Sequence, residues 1–265
     1  MLPRLIGVGV LEEPDRIAAS ITRYARQYPD ECGLCVYTDQ KTAESTSFPC
    51  PVVSVSRPEQ ALIDDLYSGR VCAAVRGTLP SHRTLSYLKE VSGRASLERI
   101  VLLETADGSQ FFMGPVGVDE GYTIDEKEKI IEKGRWFAEL FSLPSMVGVL
   151  SGGRHDDYGR HARVDASLDD ARELSRRTKA VNFGILIEDA VKECGFIVAP
   201  DGISGNLIFR TLVLVGGGRS HGAPVVNLDR IFIDTSRANP DYVCSFLLSH
   251  KLYESGHFAN QNCDF

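Results

Sequence analysis

Apolar runs and amphipathic stretches alternate along this chain at nearly regular intervals. Runs of consecutive apolar residues predict buried strands over 4–10, 32–37, 51–55, 71–75, 97–103, 110–113, 146–150, 181–187 and 196–199. Between them, apolar residues spaced three and four apart predict helices over 17–28, 58–67, 79–91, 123–142 and 168–177, and a last one over 240–253. Glu12-Glu13-Pro14-Asp15 places acids and a proline in the first turn of the first helix. Asp107-Gly108, between two strand runs, marks a hairpin. Residues 115–121 read as a connection, 151–154 as a polar turn and 155–164 as a charged, mobile loop; 225–228 and 230–233 are two further short apolar runs. Strands alternating with helices predict an α/β fold with largely parallel sheets. The sequence shows no internal repeat and no low-complexity segment.

The stretch over 195–224 concentrates the most chemistry. Its strand ends at Pro200-Asp201-Gly202, Ser204-Gly205-Asn206 follows, and 207–215 is apolar enough to predict a buried helix. A strand, a small-residue turn and a helix start can form an anion site, because unpaired N–H groups and the positive dipole end point at one place. Gly205, lacking Cβ, lets the backbone approach a ligand. An ordinary turn with a capping side chain is the competing reading.

Composition narrows the field. With 43% hydrophobic and 25% charged residues among 265, the chain suits one large or two modest globular domains. A net charge of -7 argues against a nucleic-acid surface, and no apolar run approaches a membrane span. The opening residues run straight into strand-like sequence, which predicts no signal peptide. Seven scattered cysteines favour reduced thiols and a cytoplasmic setting. Cys32-Gly-Leu-Cys35 has no second ligand pair for zinc and reads as buried small hydrophobes. Asp156 and Asp157, with His155 and His161, fit no particular metal geometry, so no metal is expected. Gly7-Val-Gly9 has Glu12 where a dinucleotide fingerprint needs its third glycine.

Several stretches, in order, resemble the phosphate acetyltransferase and butyryltransferase group, which shares the isocitrate-dehydrogenase-like fold. They are Thr78-Leu-Pro-Ser-His-Arg83, Ser151–Arg154, Ala199-Pro200-Asp201-Gly202-Ile203-Ser204-Gly205-Asn206, Gly216-Gly217-Gly218 through Gly222-Ala223-Pro224, and Thr235-Ser236-Arg237-Ala238. Ala238 departs from the glycine expected there, and Arg76-Gly77 from a His-Ser-like pair. In length and in the wording of its second half, the chain looks most like the methanogen-associated MtxX family, also called methanogenesis marker protein 4 and catalogued with methyltransferases. The resemblance implies a two-domain phosphotransacetylase-like fold with an interdomain cleft, the first domain spanning 1–115 plus 230–265 and the second 116–229.

It also implies roles. Arg83, Arg237, Thr78, Ser204, Gly205, Asn206 and Arg154 would bind substrate phosphate, arginine because its planar fork donates bidentately. Ser236 would stabilise an oxyanion. Asp241 stands where a base for a thiol would, although Asp241 after Pro240 could equally stabilise the start of the last helix. Arg154 could instead be a solvated loop charge. The partner would be a phosphorylated or coenzyme A-like small molecule, or a methyl carrier. The functional expectation is a transferase linked to methanogen one-carbon metabolism, with acyl-CoA:phosphate acyl transfer and a non-catalytic ligand sensor or assembly factor as the alternatives. Trp136, Phe137, Leu140 and Phe141 give the 123–142 helix more apolar surface than one core face needs, which predicts a homodimer.

Overall fold

Strand β1 (Leu5–Gly9) is buried from Ile6 onward, and both its neighbours run parallel to it. A strand covered on both faces must be apolar without alternation, which is why 4–10 reads as a continuous run. The structure is a computed structural model that describes residues 4–256. From β1 the chain passes through α1 (Pro14–Gln27), β2 (Gly33–Thr38), α2 (Gln40–Ser45), β3 (Val52–Ser54), α3 (Pro58–Tyr67), β4 (Ala73–Val75) and α4 (Ser81–Ser92).

The next stretch forms its own unit. Its elements are β5 (Val101–Glu104), β6 (Gln110–Gly114), α5 (Ile124–Leu140), β7 (Val147–Leu150), a 3-10 turn (His155–Asp157), α6 (Ala162–Thr178), β8 (Val181–Gly184), α7 (Ile187–Glu193), β9 (Phe196–Val198) and α8 (Gly202–Leu214). The chain then returns through β10 (Arg219–Pro224), β11 (Ile231–Asp234) and α9 (Val243–Glu254). Contacts divide the molecule into unit 1, up to Leu97 and again from His221, and unit 2, Glu98–Ser220. The 98–115 stretch thus groups with unit 2, because β5 and β6 pair antiparallel (Val101↔Met113) and β6 continues into β9.

In unit 1 the strand order is β3-β2-β1-β4-β11, all parallel, and Ala223 and Pro224 at the end of β10 pair antiparallel with β11. One face of this sheet is filled by Leu62, Ile63 and Leu66 of α3 and by Leu79 and Leu88. Helix α9 packs on β4, β11 and α1; fully buried Phe246 meets the Tyr24 ring edge-on at 5.5 Å. That helix starts at Val243, not 240, since Tyr242 is its N-cap.

In unit 2 the order is β5-β6-β9-β7-β8, parallel except for the β5–β6 hairpin. Helix α5 opens with a capping box, Thr123 with Glu126, worth about 1 kcal/mol. The apolar surplus read on α5 is partly spent inside the unit: Phe112 lies against Phe137 at 5.3 Å and Phe141 at 5.2 Å, and Trp136 is half-buried.

Five expectations change. Helices α2 and α7 go unread because six or seven residues are too short for a 3.6 period to show; α7 takes over the end of the run read as strand over 181–187. Strand β10, RSHGAP, precedes the 225–228 run read as apolar; pairing with β11, not composition, makes it a strand. The 155–164 stretch is held by local bonds: Asp157 accepts from the Arg154 amide, and Gly159 donates to Asp165. Helix α8 forms where expected but is not buried: Ile203 is 50%, Leu207 60% and Val215, just after it, 83% exposed. Only its Gly202 and Gly205 are buried, so its glycine edge is its packed edge. The polar tail beyond 256 lies outside the described residues.

Candidate functional site

In unit 1 the chain leaves β1 toward β2 on one side of the sheet, while β4 lies on the other. The carboxyl ends of β1 and β4 are therefore a topological switch point, the place where open α/β sheets bind ligands. Glycine permits the two ends to meet. Gly77 has φ +59, and a Cβ there would strike the Gly9 carbonyl; a Cβ on Gly9 would strike Leu79 and the Arg76 carbonyl. Thr78 follows, fully buried. Its amide donates to the Gly9 carbonyl at 3.0 Å, and its Oγ1 accepts from the amides of Leu11 at 3.0 Å and Glu12 at 3.1 Å. Thr78 thereby clamps the loop after β1 to the loop after β4.

The end of β11 joins them. Arg76, 4% exposed, spends its guanidinium on three acceptors: Asp234 Oδ1 at 2.5 Å, the Leu79 carbonyl at 2.6 Å and the Thr235 carbonyl. Thr235 Oγ1 donates to the Gly77 carbonyl at 2.9 Å. Ser236 and Arg237 come next. Ser236 Oγ accepts from the Ala238 amide, and the Ser236 carbonyl accepts from Tyr242 Oη. Arg237 Nη1 pairs with Glu12 at 2.7 Å, both side chains half-exposed, while Arg16 donates to the Arg237 carbonyl at 2.6 Å. Thr78, Ser236 and Arg237 are thus brought to one end of one sheet. Asn239, in the same turn and 1% exposed, has neither side-chain polar atom partnered among the described residues. Native structures leave few buried polar groups unmade, so this amide marks a place where a donor and an acceptor are available.

Helix α4 begins three residues after Thr78. Its N-cap is Pro80, with no side-chain cap, so the first-turn amides keep the unneutralised positive end of the dipole. Arg83 sits in that turn. Its guanidinium pairs with Glu59 of α3, a carboxylate 3% exposed whose Oε2 has no partner among the described residues. The two residues line a groove with Arg57, His82 and Tyr87. Arg83 bonds to α3 and Arg237 to the loop after β1; among the described residues no bond joins the two arginines.

Asp241 performs the structural alternative read for it. Its Oδ1 accepts from the Val243 amide at 2.8 Å, at the start of α9, and its Oδ2 pairs with Arg23 at 2.8 Å.

In unit 2 the turn before α8 is arranged differently. Asp201 caps the helix, accepting from the Ser204 amide at 2.7 Å, and the Gly202 amide donates to the Glu120 carbonyl at 3.0 Å. A Cβ on Gly205 would strike the Pro115 carbonyl, so the close approach this glycine permits is to the protein's own backbone. Asn206 Nδ2 donates to the Val116 carbonyl at 3.1 Å. Behind the turn, Glu120 binds Arg99, burial being the leading influence that raises its pKa, and buried Lys127 donates to the Pro200 carbonyl at 3.2 Å. Arg154, exposed, donates its amide to Asp157. His161 Nδ1 accepts from the Arg163 amide, capping α6.

The sequence reading noted Arg76 only as a departure from the family pattern, and gave no role to it or to Asp234, Glu59 and Asn239. No local signal announces a buried arginine; only the adjacency of β4 and β11 makes one necessary.

Comparison with known proteins adds a family and a fold. No family model matches the chain. It is 46% identical over 219 residues to a Methanosarcina acetivorans protein named "Putative methyltransferase mtx subunit X", covering 81% of this chain and 78% of that one. It is likewise 46% identical over 206 residues to the protein of that name from Methanosarcina barkeri, covering 76% of each. Among solved structures, a branched-chain phosphotransacylase from Enterococcus faecalis superposes with a TM-score of 0.69 at 16% identity, covering 95% of this chain and 99% of that one. At that identity the likeness speaks for the fold alone: a mixed α/β, phosphotransacylase-like architecture.

Proposed function

The chain belongs to the mtx subunit X family, and from that premise we propose that it is a transferase acting on a phosphate-bearing small molecule, with methyl transfer in methanogen one-carbon metabolism as its role. The observation that carries the ligand class is the uncapped start of α4 at the β1–β4 switch point, with Arg83 in its first turn. Unpaired amides at the positive end of a helix favour an anion, and the carboxyl ends of β1 and β4 are where this sheet type receives one. Arg237 supports the same reading from the β11 side. Among the described residues its counter-charge is Glu12, half-exposed and exchangeable for a ligand anion. The Ser236 hydroxyl would donate to developing negative charge. In unit 2, Ser204, Gly205, Asn206 and Arg154 stay in the proposal as ligand contacts, although the Ser204 amide is given to the Asp201 carboxylate, the Gly205 amide to the Asp201 carbonyl and the Asn206 side chain to the Val116 carbonyl.

Acyl transfer between coenzyme A and phosphate is the second reading, favoured by the phosphotransacylase-like fold. Asp241 would take the thiol proton there, in competition with its capping bond. A homodimer belongs to the same proposal and rests on α8, whose Ile203, Leu207 and Leu214 are exposed; light scattering at micromolar concentration tests it.

Pyrophosphate titration followed by melting tests the ligand class. Saturating anion at about a hundredfold its dissociation constant should stabilise the protein by about 2.7 kcal/mol. Arg237→Ala should lose most of that shift with basal stability nearly unchanged, since a half-exposed pair contributes little. A wild type indifferent to phosphate and pyrophosphate would sink the proposal. Turnover of acetyl phosphate with coenzyme A selects the acyl reading, and methyl transfer from labelled S-adenosylmethionine or methyl-tetrahydromethanopterin selects the methyl reading. Anion binding without either leaves a ligand sensor.

A further inference from the structure

The amino end of the unit 1 sheet, opposite the switch point, holds a second cluster of reactive groups. Cys32 and Cys72 stand immediately before β2 and β4, on either side of Arg4, which stands immediately before β1. Cys32, 1% exposed, has its Sγ 3.3 Å from His250 Nδ1 on α9. The other ring nitrogen, Nε2, pairs with Glu31. The imidazole therefore lies between a sulfur and a carboxylate, an arrangement that suits a doubly protonated ring donating both ways. Arg4 also reaches Cys32 and pairs with Glu254 at 2.9 Å, both side chains about half-exposed. Tyr24 of α1 is 2% exposed, its hydroxyl has no partner among the described residues, and its ionisation is opposed by burial first and then by the charges of Cys32 and Glu31.

We propose that Cys32 is a thiol modification site, a buried thiolate–imidazolium pair that reacts with small oxidants of the peroxide class. The charge placement supports the thiolate. A hydrogen bond from Cys72 is the largest influence, and with the His250 bond it brings Cys32 down to about 6 against its burial. Cys72 moves the opposite way, keeping its proton as the donor. Burial drives Cys50 and Cys194 up to about 11, so they are poor nucleophiles at neutral pH. Cys35 shifts upward as well.

The reaction balances without further components. The thiolate attacks one peroxide oxygen, the S–O bond forms and the O–O bond breaks. The leaving hydroxide takes the His250 Nδ1 proton and departs as water. The product is a sulfenic acid, with the unpartnered Tyr24 hydroxyl in the same cluster as a donor for the new oxygen. Almost complete burial restricts the site to small reagents. The consequence is structural: α9 holds His250 at one end, and at its other end follows the turn carrying Ser236 and Arg237.

The test treats the native full chain with hydrogen peroxide, traps sulfenic acid with dimedone and reads each cysteine by mass spectrometry. The expected result is an adduct at Cys32 and none at Cys35, Cys50 or Cys194, with a rate rising through a midpoint near pH 6. The groups facing Cys32 in this profile are Arg4, Tyr24, Glu31, Cys72, His250 and Tyr253. At pH 5, His250→Gln should slow labelling about tenfold if the thiol rises by one pKa unit. Cys72→Ala should act in the same direction, and Cys72→Ser, which keeps a donor, should restore much of the rate. If either variant unfolds, the wild-type profile decides alone, against a guanidinium-unfolded control in which the cysteines should label alike. Labelling of native Cys32 no faster than Cys50 at pH 7, or a midpoint above pH 8, overturns the proposal.

Discussion

Two strand–turn–helix junctions in this molecule look alike as sequence and differ as chemistry. Both the β4–α4 junction, with Gly77 and Thr78, and the β9–α8 junction, with Gly202 and Gly205, place glycine where backbones crowd. At β9–α8 the groups an anion would use are spent: Asp201 supplies the negative charge, and Glu120 takes the Gly202 amide. At β4–α4 no side chain caps the helix, and glycine serves to bring two strand ends together. A glycine-rich helix start is a ligand site only when its N–H groups are left over, and that depends on what the rest of the fold supplies. The junction that dominates the sequence is the better satisfied one.

The largest test of this contrast is Arg76→Met. It removes all three bonds of a buried guanidinium, one of them its ion pair with Asp234, which should cost about 3–5 kcal/mol. Urea unfolding should show a lower midpoint, and pyrophosphate stabilisation should vanish with it. A stable variant that still binds would mean that the brace does not organise the site.

Arg83→Ala should cost about 1–3 kcal/mol, because Glu59 is buried and loses its partner. A cleft arginine would be expected to leave basal stability untouched; this one should not. Glu59→Gln in the same background should recover part of the loss, measured as a double-mutant cycle. Full recovery of pyrophosphate binding in that double variant would remove Arg83 from the ligand contacts.

Asp201→Ala should cost about 1 kcal/mol, as loss of a helix cap does. Its use is comparative: thermal melts with and without pyrophosphate should give the wild-type shift. A larger shift would show that uncapping α8 had created a competing anion site.

The smallest effect is expected from Asp241→Asn, which keeps an oxygen for the Val243 amide and removes only the Arg23 pair, about 0–1 kcal/mol at these exposures. Unchanged stability with lost acyl transfer would assign Asp241 as the base; unchanged activity leaves it as a cap.

What the sequence disclosed follows from which interactions are local. Strands β1, β2, β4 and β9 (LIGVG, GLCVYT, AAV and FIV) are short, mostly apolar runs in which nearly every residue is buried, so their composition carries the information. The amphipathic α3 and α5 declare their buried sides through residues such as Leu62 and Ile130. Helix α8 misled because apolar composition reports a preference for burial and names no neighbour to provide it. Of the site, Thr78, Ser236 and Arg237 came by resemblance, and the structure brings them to one sheet end. Arg76 and Asp234, 158 residues apart, could be coupled only by knowing that β11 lies beside β4. The burial of Glu59 depends in the same way on how α3 meets α4.

The placement of β11 also sets an order of events during synthesis. Unit 2 is one continuous stretch and can close as soon as it emerges, but β4 gains its outer neighbour only after residue 231 is made. Until then β4 has an open, apolar edge, the kind of surface on which nascent chains misassociate. The last contacts to form are long-range ones, which close slowly. Arg76, Asp234 and the Ser236–Arg237 turn therefore mature together and late. A nascent or shortened chain lacking β11 would hold a folded middle and an unfinished site, with no partly competent state between.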